Sequence, residues 1–233
     1  MKTHDPTNAA TRFLAAARTL ALCAWLLLAT AAPAAHAQLT LIAPLDANEP
    51  ITYHIAEGAP DSMYRESDRQ LARWALDAWR NAAGGTFELV EVADEEEALL
   101  RIYFVPASGG QYGEMRPIFA NGRRGAAVYV RPDVRALGPD IDAAALEDPL
   151  LRDTVVYLTC VHELGHAFGL EHTSDYEDIM YFFGYGGDIP GFFRRYREQL
   201  TSRDDIAKVA GLSARDVARI AALYARDADS KPR

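Results

Sequence analysis

In the stretch Val161-His162-Glu163-Leu164-Gly165-His166-Ala167-Phe168-Gly169-Leu170-Glu171-His172, three imidazoles and a carboxylate recur at spacings that suit one metal ion. On a helix, residues four apart stand one turn above each other on the same face, so His162 and His166 can offer two ring nitrogens to a single ion. Glu163 follows the first of them directly, which sets its carboxylate beside the ion and not on it. There it can hold and deprotonate a bound water, the part of a general base. Gly169 tolerates the positive φ that a sharp helix stop needs, and the turn after it brings His172 round as the third ligand. Three neutral imidazoles leave a fourth position open, which separates a catalytic zinc from a structural one.

A bare H-E-x-x-H arises by chance in ordinary helices; the added G-x-x-H is much rarer. Eight residues past His172 stands Met180, and Asp178-Ile179-Met180-Tyr181 has the form of a methionine turn lying beneath a metal. The histidine count points the same way. Of the six histidines, His4 and His36 fall in the N-terminal leader, and three of the other four are in the motif. The fourth, His54, sits on a strand face opposite Ile51, Tyr53 and Ile55, where a solvated side chain is favoured over a further ligand.

The elements that must position these residues read as follows. Asp148 and Pro149 offer a start for the active helix, which runs to Phe168 with Leu151, Val155, Leu158 and Val161 for the core. Cys160, two residues before His162, points away from it and reads as a buried helix residue. Strands are expected at residues 51–56, 86–92, 99–105, 114–120 and 126–130; Pro117 cannot donate to a ladder and belongs at a sheet edge. Such an edge near the metal could bind an extended peptide as an extra strand, or be an ordinary protected edge. Ser67 and Gln70 form a capping box for a helix whose stripe is Leu71, Trp74, Ala75, Ala78 and Trp79, ending at Gly84-Gly85. The acidic run Asp94-Glu95-Glu96-Glu97 is a solvated turn, and calcium is left open. Near the end, Leu212-Ser213-Ala214-Arg215-Asp216-Val217 supplies an N-cap, an acid in the first turn and a staple between Leu212 and Val217. The helix that follows buries Val217, Ile220, Ala221 and Tyr224.

Residues 1–37 read as a cleavable secretory signal: Lys2, Arg12 and Arg18, an apolar run from Leu20 to Thr30, then Ala35-His36-Ala37 as cleavage site. An uncleaved anchor competes, but the apolar core is short for a span. The mature chain then begins at about Gln38, in the periplasm or outside the cell. Without those residues the net charge of −9 becomes −11, and no basic cluster adjoins the site, which argues against nucleic acid as a partner. Only Cys160 remains in the mature chain, so no internal disulfide forms.

These residues resemble the matrixin branch of the metzincins. The similarity rests on the I-T-Y-x-I strand, the Trp-bearing first helix, L-R-I-Y-F-V, the long zinc motif with Met180, and L-S-x-x-D-V-x-x-I-x-x-L-Y. The resemblance implies an α+β fold of zincin type: a twisted mixed β-sheet with an active-site helix and a small C-terminal helical subdomain, the cleft lying between. It implies an N-terminal extension at residues 38–50, a catalytic domain at 51–226 and a flexible tail at 227–233. By matching positions His162, His166 and His172 become ligands of one catalytic Zn2+, Glu163 the base and Met180 the hydrophobic floor, with Phe182, Phe183 and Tyr185 walling a substrate pocket. The implied activity is zinc-dependent endopeptidase action on proteins or peptides; the alternative is a non-catalytic member of the fold that binds a protein partner. A monomer without membrane contact is expected. Phe182 departs from the family branches that place a tyrosine ligand two residues beyond the methionine. No histidine lies between His54 and His162 to build a second zinc site, and no cysteine-bearing propeptide fits between Ala37 and Ile51. The segment from Phe182 to Gly211 is longer than in a compact matrixin. Its Phe192, Phe193 and Tyr196 fit a helix packed on the lower part better than a lid or membrane-touching helix.

Overall fold

Alternation of apolar and polar side chains sets the sheet. In β1 (Ile51–Ile55) the buried ends are Ile51 and Ile55, and in β3 (Leu100–Phe104) Leu100, Ile102 and Phe104 point into the core. The computed structural model describes residues 42–108 and 111–229, so the leader lies outside the described residues. With β2 (Leu89–Glu91), β4 (Gly113–Ala120) and β5 (Arg123–Val130) the strands form one five-stranded sheet in the order β2-β1-β3-β5-β4. The first three pairings are parallel and β4 runs antiparallel to β5, so β4 is an edge strand with Pro117 opposite Ala126. The missing N–H of Pro117 is harmless there. Strand β2 is shorter than residues 86–92 because its ladder runs only from Ile51↔Leu89 to Tyr53↔Glu91.

Two helices cross in the core. Helix α1 (Asp68–Ala82) buries Leu71, Ala75, Leu76 and Trp79, and the Trp79 indole N–H donates to the Val161 carbonyl at 2.8 Å. That bond fixes α1 against the turn of the active helix just before His162. A short helix α2 (Pro139–Glu147) leads into the active helix α3 (Pro149–Ala167), whose Asp148 carboxylate accepts the Leu150 N–H at 3.1 Å. Helix α3 is buried on nearly every side, as a central helix must be. Helix α4 (Ile189–Arg197) packs Phe192, Phe193 and Tyr196 inward, as expected for a helix seated on the lower part. Helix α5 (Ala214–Asp229) closes the fold. No helix among the described residues is long and apolar enough to cross a membrane.

Two expectations fail locally. The Ser67 side chain makes no cap; instead the Asp68 carboxylate reaches back to the Arg65 N–H at 2.9 Å and pairs with Arg152. A buried charged partner across the fold outweighs a local hydroxyl cap. At the other end Val217 is 38% exposed, so it is neither staple nor core. The inward position goes to its neighbour Asp216, fully buried, which exchanges hydrogen bonds with Ser213 and also binds the Ile179 N–H.

Candidate metal centre and cleft

The three imidazoles meet. Among the described residues they are the one group of three or more possible metal-binding side chains whose ligand atoms converge, all within 4.8 Å of one another. His162 and His166 rise from one face of α3. Their Nδ1 atoms donate to backbone carbonyls, His162 to Ile179 at 2.7 Å and His166 to Leu170 at 2.8 Å. A carbonyl only accepts, so both neutral rings carry their lone pair on Nε2. Those atoms lie 3.3 Å and 3.1 Å from Nε2 of His172. His172 has at most one proton to offer there, so at least one of the two Nε2 lone pairs is left without a donor. A cation satisfies such lone pairs, and three neutral imidazoles, two of them with carbonyl-bound outer faces, suit zinc.

Burial keeps the rings neutral. It pushes His162 down to about 3, assisted by His166 and against the Ile179 carbonyl, and His166 down to about 4, against the Leu170 carbonyl. Burial lowers His172 as well. Gly169 has φ +99°, and a Cβ there would stand 2.5 Å from the Pro44 nitrogen, so the sharp turn to His172 is closed over by the incoming chain.

The loop beneath is built from both ends of the fold. Met180 is fully buried and its sulfur fills the space beside Gly165, between the two helical ligands. The Thr173 N–H donates to the Met180 carbonyl and the Phe182 N–H to the Thr173 carbonyl, which closes the loop carrying the methionine. Asp216 of α5 accepts the Ile179 N–H at 2.8 Å while the Ile179 carbonyl holds His162, so α5 orients a ligand through a single residue. Sequence reasoning gave Asp216 only a capping role, because its partner lies 37 residues away.

Glu163 is 8% exposed and opens on a cavity of about 440 Å³ shared with the three histidines. Burial pushes its carboxyl up to about 8; Arg131 and the Met115 N–H oppose this, and Glu114 adds to it. The close approach of β4 depends on Gly113: a Cβ there would lie 2.5 Å from Cγ of Glu163 and 2.9 Å from its Oε1. Gly113→Ala should therefore displace the carboxylate while the three histidines keep their capacity to bind metal. A crystal structure of the variant beside its metal content checks this, and an unmoved carboxylate would refute the contact.

Of the expected pocket residues, Phe182 and Phe183 line the cavity, Phe182 also packing on His172 with ring centroids 4.8 Å apart. Tyr185 does not line it; it is 66% exposed and stands against Phe182 on the rim. Unforeseen lining comes from Tyr112 and Met115 of the β4 region, Leu158 of α3, and Phe192 and Phe193 of α4.

The matrixin family model matches residues 46–225, more than three quarters of the 233-residue chain. The chain belongs to the matrixin family. This matrixin is 30% identical over 133 residues to macrophage metalloelastase of Oryctolagus cuniculus, covering 56% of this chain and 27% of that protein. It is 32% identical over 172 residues to interstitial collagenase of Sus scrofa, covering 71% of this chain and 32% of that protein. The matched stretch thus spans about a quarter to a third of the curated relatives' length. A crystal structure of archaemetzincin from Methanopyrus kandleri aligns with TM-score 0.40 at 16% identity, over 79% of the matrixin and 98% of that chain.

Proposed function

We propose that this matrixin is a zinc-dependent endopeptidase acting on proteins or peptides, with His162, His166 and His172 as the ligands and Glu163 as general base. The observation that carries the reading is the convergence of three imidazole nitrogens beside a buried carboxylate, in a cleft bordered by an edge strand. A zinc ion held by the three imidazoles would lower the pKa of a water towards neutrality and polarise a carbonyl. Glu163 accepts the proton of the attacking water as its oxygen bonds to the peptide carbonyl carbon. It returns the proton to the amide nitrogen as the C–N bond breaks. The outer edge of β4 offers backbone groups to an extended chain, which would lie beside Gly113 to Met115 as an added strand. The apolar cavity below takes a side chain of that chain.

Zinc-loaded protein incubated with a mixed peptide library should cleave internal bonds, lose that activity with a chelator and regain it with added zinc. A fully metallated protein that cleaves nothing would instead be a binding module. Export with a start at Gln38 belongs to the same proposal. N-terminal sequencing of the secreted protein tests it, and a mature chain retaining Met1 would reject it.

A further inference from the structure

Helix α4 places two adjacent phenylalanines at the end of the cleft, and each also lines a different cavity behind it. Phe193 borders the cleft on one side and, on the other, a cavity of about 280 Å³ beside Ile141 and Leu151. Phe192 stands likewise before a cavity of about 310 Å³ beside Tyr196 and Leu212. Neighbouring helical residues point about 100° apart, which is why one helix can wall off two separate spaces. The Phe193 ring is 3% exposed and lies 5.6 Å from the Tyr112 ring and 5.7 Å from the Phe192 ring, centroid to centroid. Tyr112 comes from the β4 side and Phe193 from α4, so the partition closes the cleft between the sheet and the lower part. Tyr112, Leu158, Phe183, Phe192 and Phe193 give the cleft lining its apolar character.

We propose that Phe193 is the specificity-determining floor of the cleft: it limits the occupant to an apolar side chain of single-ring size, and its removal joins the cleft to the cavity behind. This rests on the peptidase reading for the identity of the occupant, a peptide side chain next to the cleaved bond. The chain's preference is then set from α4, an element far in sequence from the metal ligands. A side chain that enters beside Tyr112 and Phe183 and extends further meets Phe193, which packs on Tyr112.

The test uses full-length, zinc-loaded protein and peptides that differ at one position, carrying alanine, leucine, phenylalanine or 4-phenylphenylalanine. Binding is measured by calorimetry on the Glu163→Gln form, and cleavage on the form with Glu163 intact. With Phe193 present, phenylalanine should exceed 4-phenylphenylalanine in affinity; Phe193→Ala should shift that ratio by about tenfold or more towards the longer side chain. Phe193→Leu, a smaller truncation, should shift it in the same direction by less and covers the case in which the alanine variant does not fold. An unchanged ratio in a folded variant, or an equal loss for all four peptides, overturns the proposal. A shifted binding ratio without any cleavage keeps the floor and removes the peptidase reading, so the two fail separately.

Discussion

Replacing Glu163 with alanine should lower kcat/KM for peptide cleavage by about 10²–10⁴-fold while bound zinc stays at the wild-type level. The carboxylate opens on the same cavity as the three histidines, yet the converging ligand atoms are all imidazole nitrogens. Removing it deletes the proton acceptor and leaves the metal's holders in place. His166→Ala is the contrasting case, because it takes away a nitrogen whose lone pair is fixed towards the centre by its bond to the Leu170 carbonyl. That variant should lose zinc and cleavage together. Metal analysis beside steady-state kinetics separates the two, and a Glu163→Ala protein with full chelator-sensitive turnover would sink the mechanism.

Arg152→Ala should destabilise the fold by about 3–5 kcal/mol. Arg152 on α3 is 4% exposed and Asp68 at the start of α1 is fully buried. Nη2 of Arg152 donates to Oδ2 of Asp68 at 2.8 Å and to the Met63 carbonyl at 3.1 Å, while Nη1 pairs with the other carboxylate oxygen. Asp153 joins the cluster, held in turn by Nε of Arg203 at 2.8 Å. Truncating Arg152 leaves the Asp68 charge in the core with, among the described residues, only the Arg65 N–H as partner. Replacing both partners by apolar residues of similar volume should cost much less, because no charge is then stranded. Urea unfolding with excess chelator in every sample keeps metal linkage out of the comparison. A loss below about 1 kcal/mol, the scale of exposed pairs, would show that the pair is better solvated than its burial indicates.

The sequence made local features legible and left distant partnerships hidden. The helix from Pro149, the stop at Gly169 and the edge placement of Pro117 follow from chemistry within a few residues, and the structure has all three. Ser67 looked like a cap because a hydroxyl before a helix usually is one. What decides that position is Asp68, whose partner Arg152 is 84 residues further on. Val217 fits an apolar stripe by spacing, but the helix is rotated so that Asp216 reaches the loop under the metal centre. Tyr185 shares aromatic character and neighbourhood with Phe182 and Phe183, yet the short helical turn over Phe183–Tyr185 carries its ring to the rim. Phe192 and Phe193 were readable as buried, and which cavities they divide was not, since that depends on how α4 meets Tyr112.

The bond from the Ile179 N–H to Asp216 has a consequence in time. His162 and His166 emerge on one continuous helix, but the loop that supplies the outer bond of His162 is tethered by Asp216, a residue that leaves the ribosome well after the helical pair. A polypeptide made only as far as Gly211 has the two helical ligands without that tether. The orientation of His162 is therefore set later in synthesis than the helix that carries it.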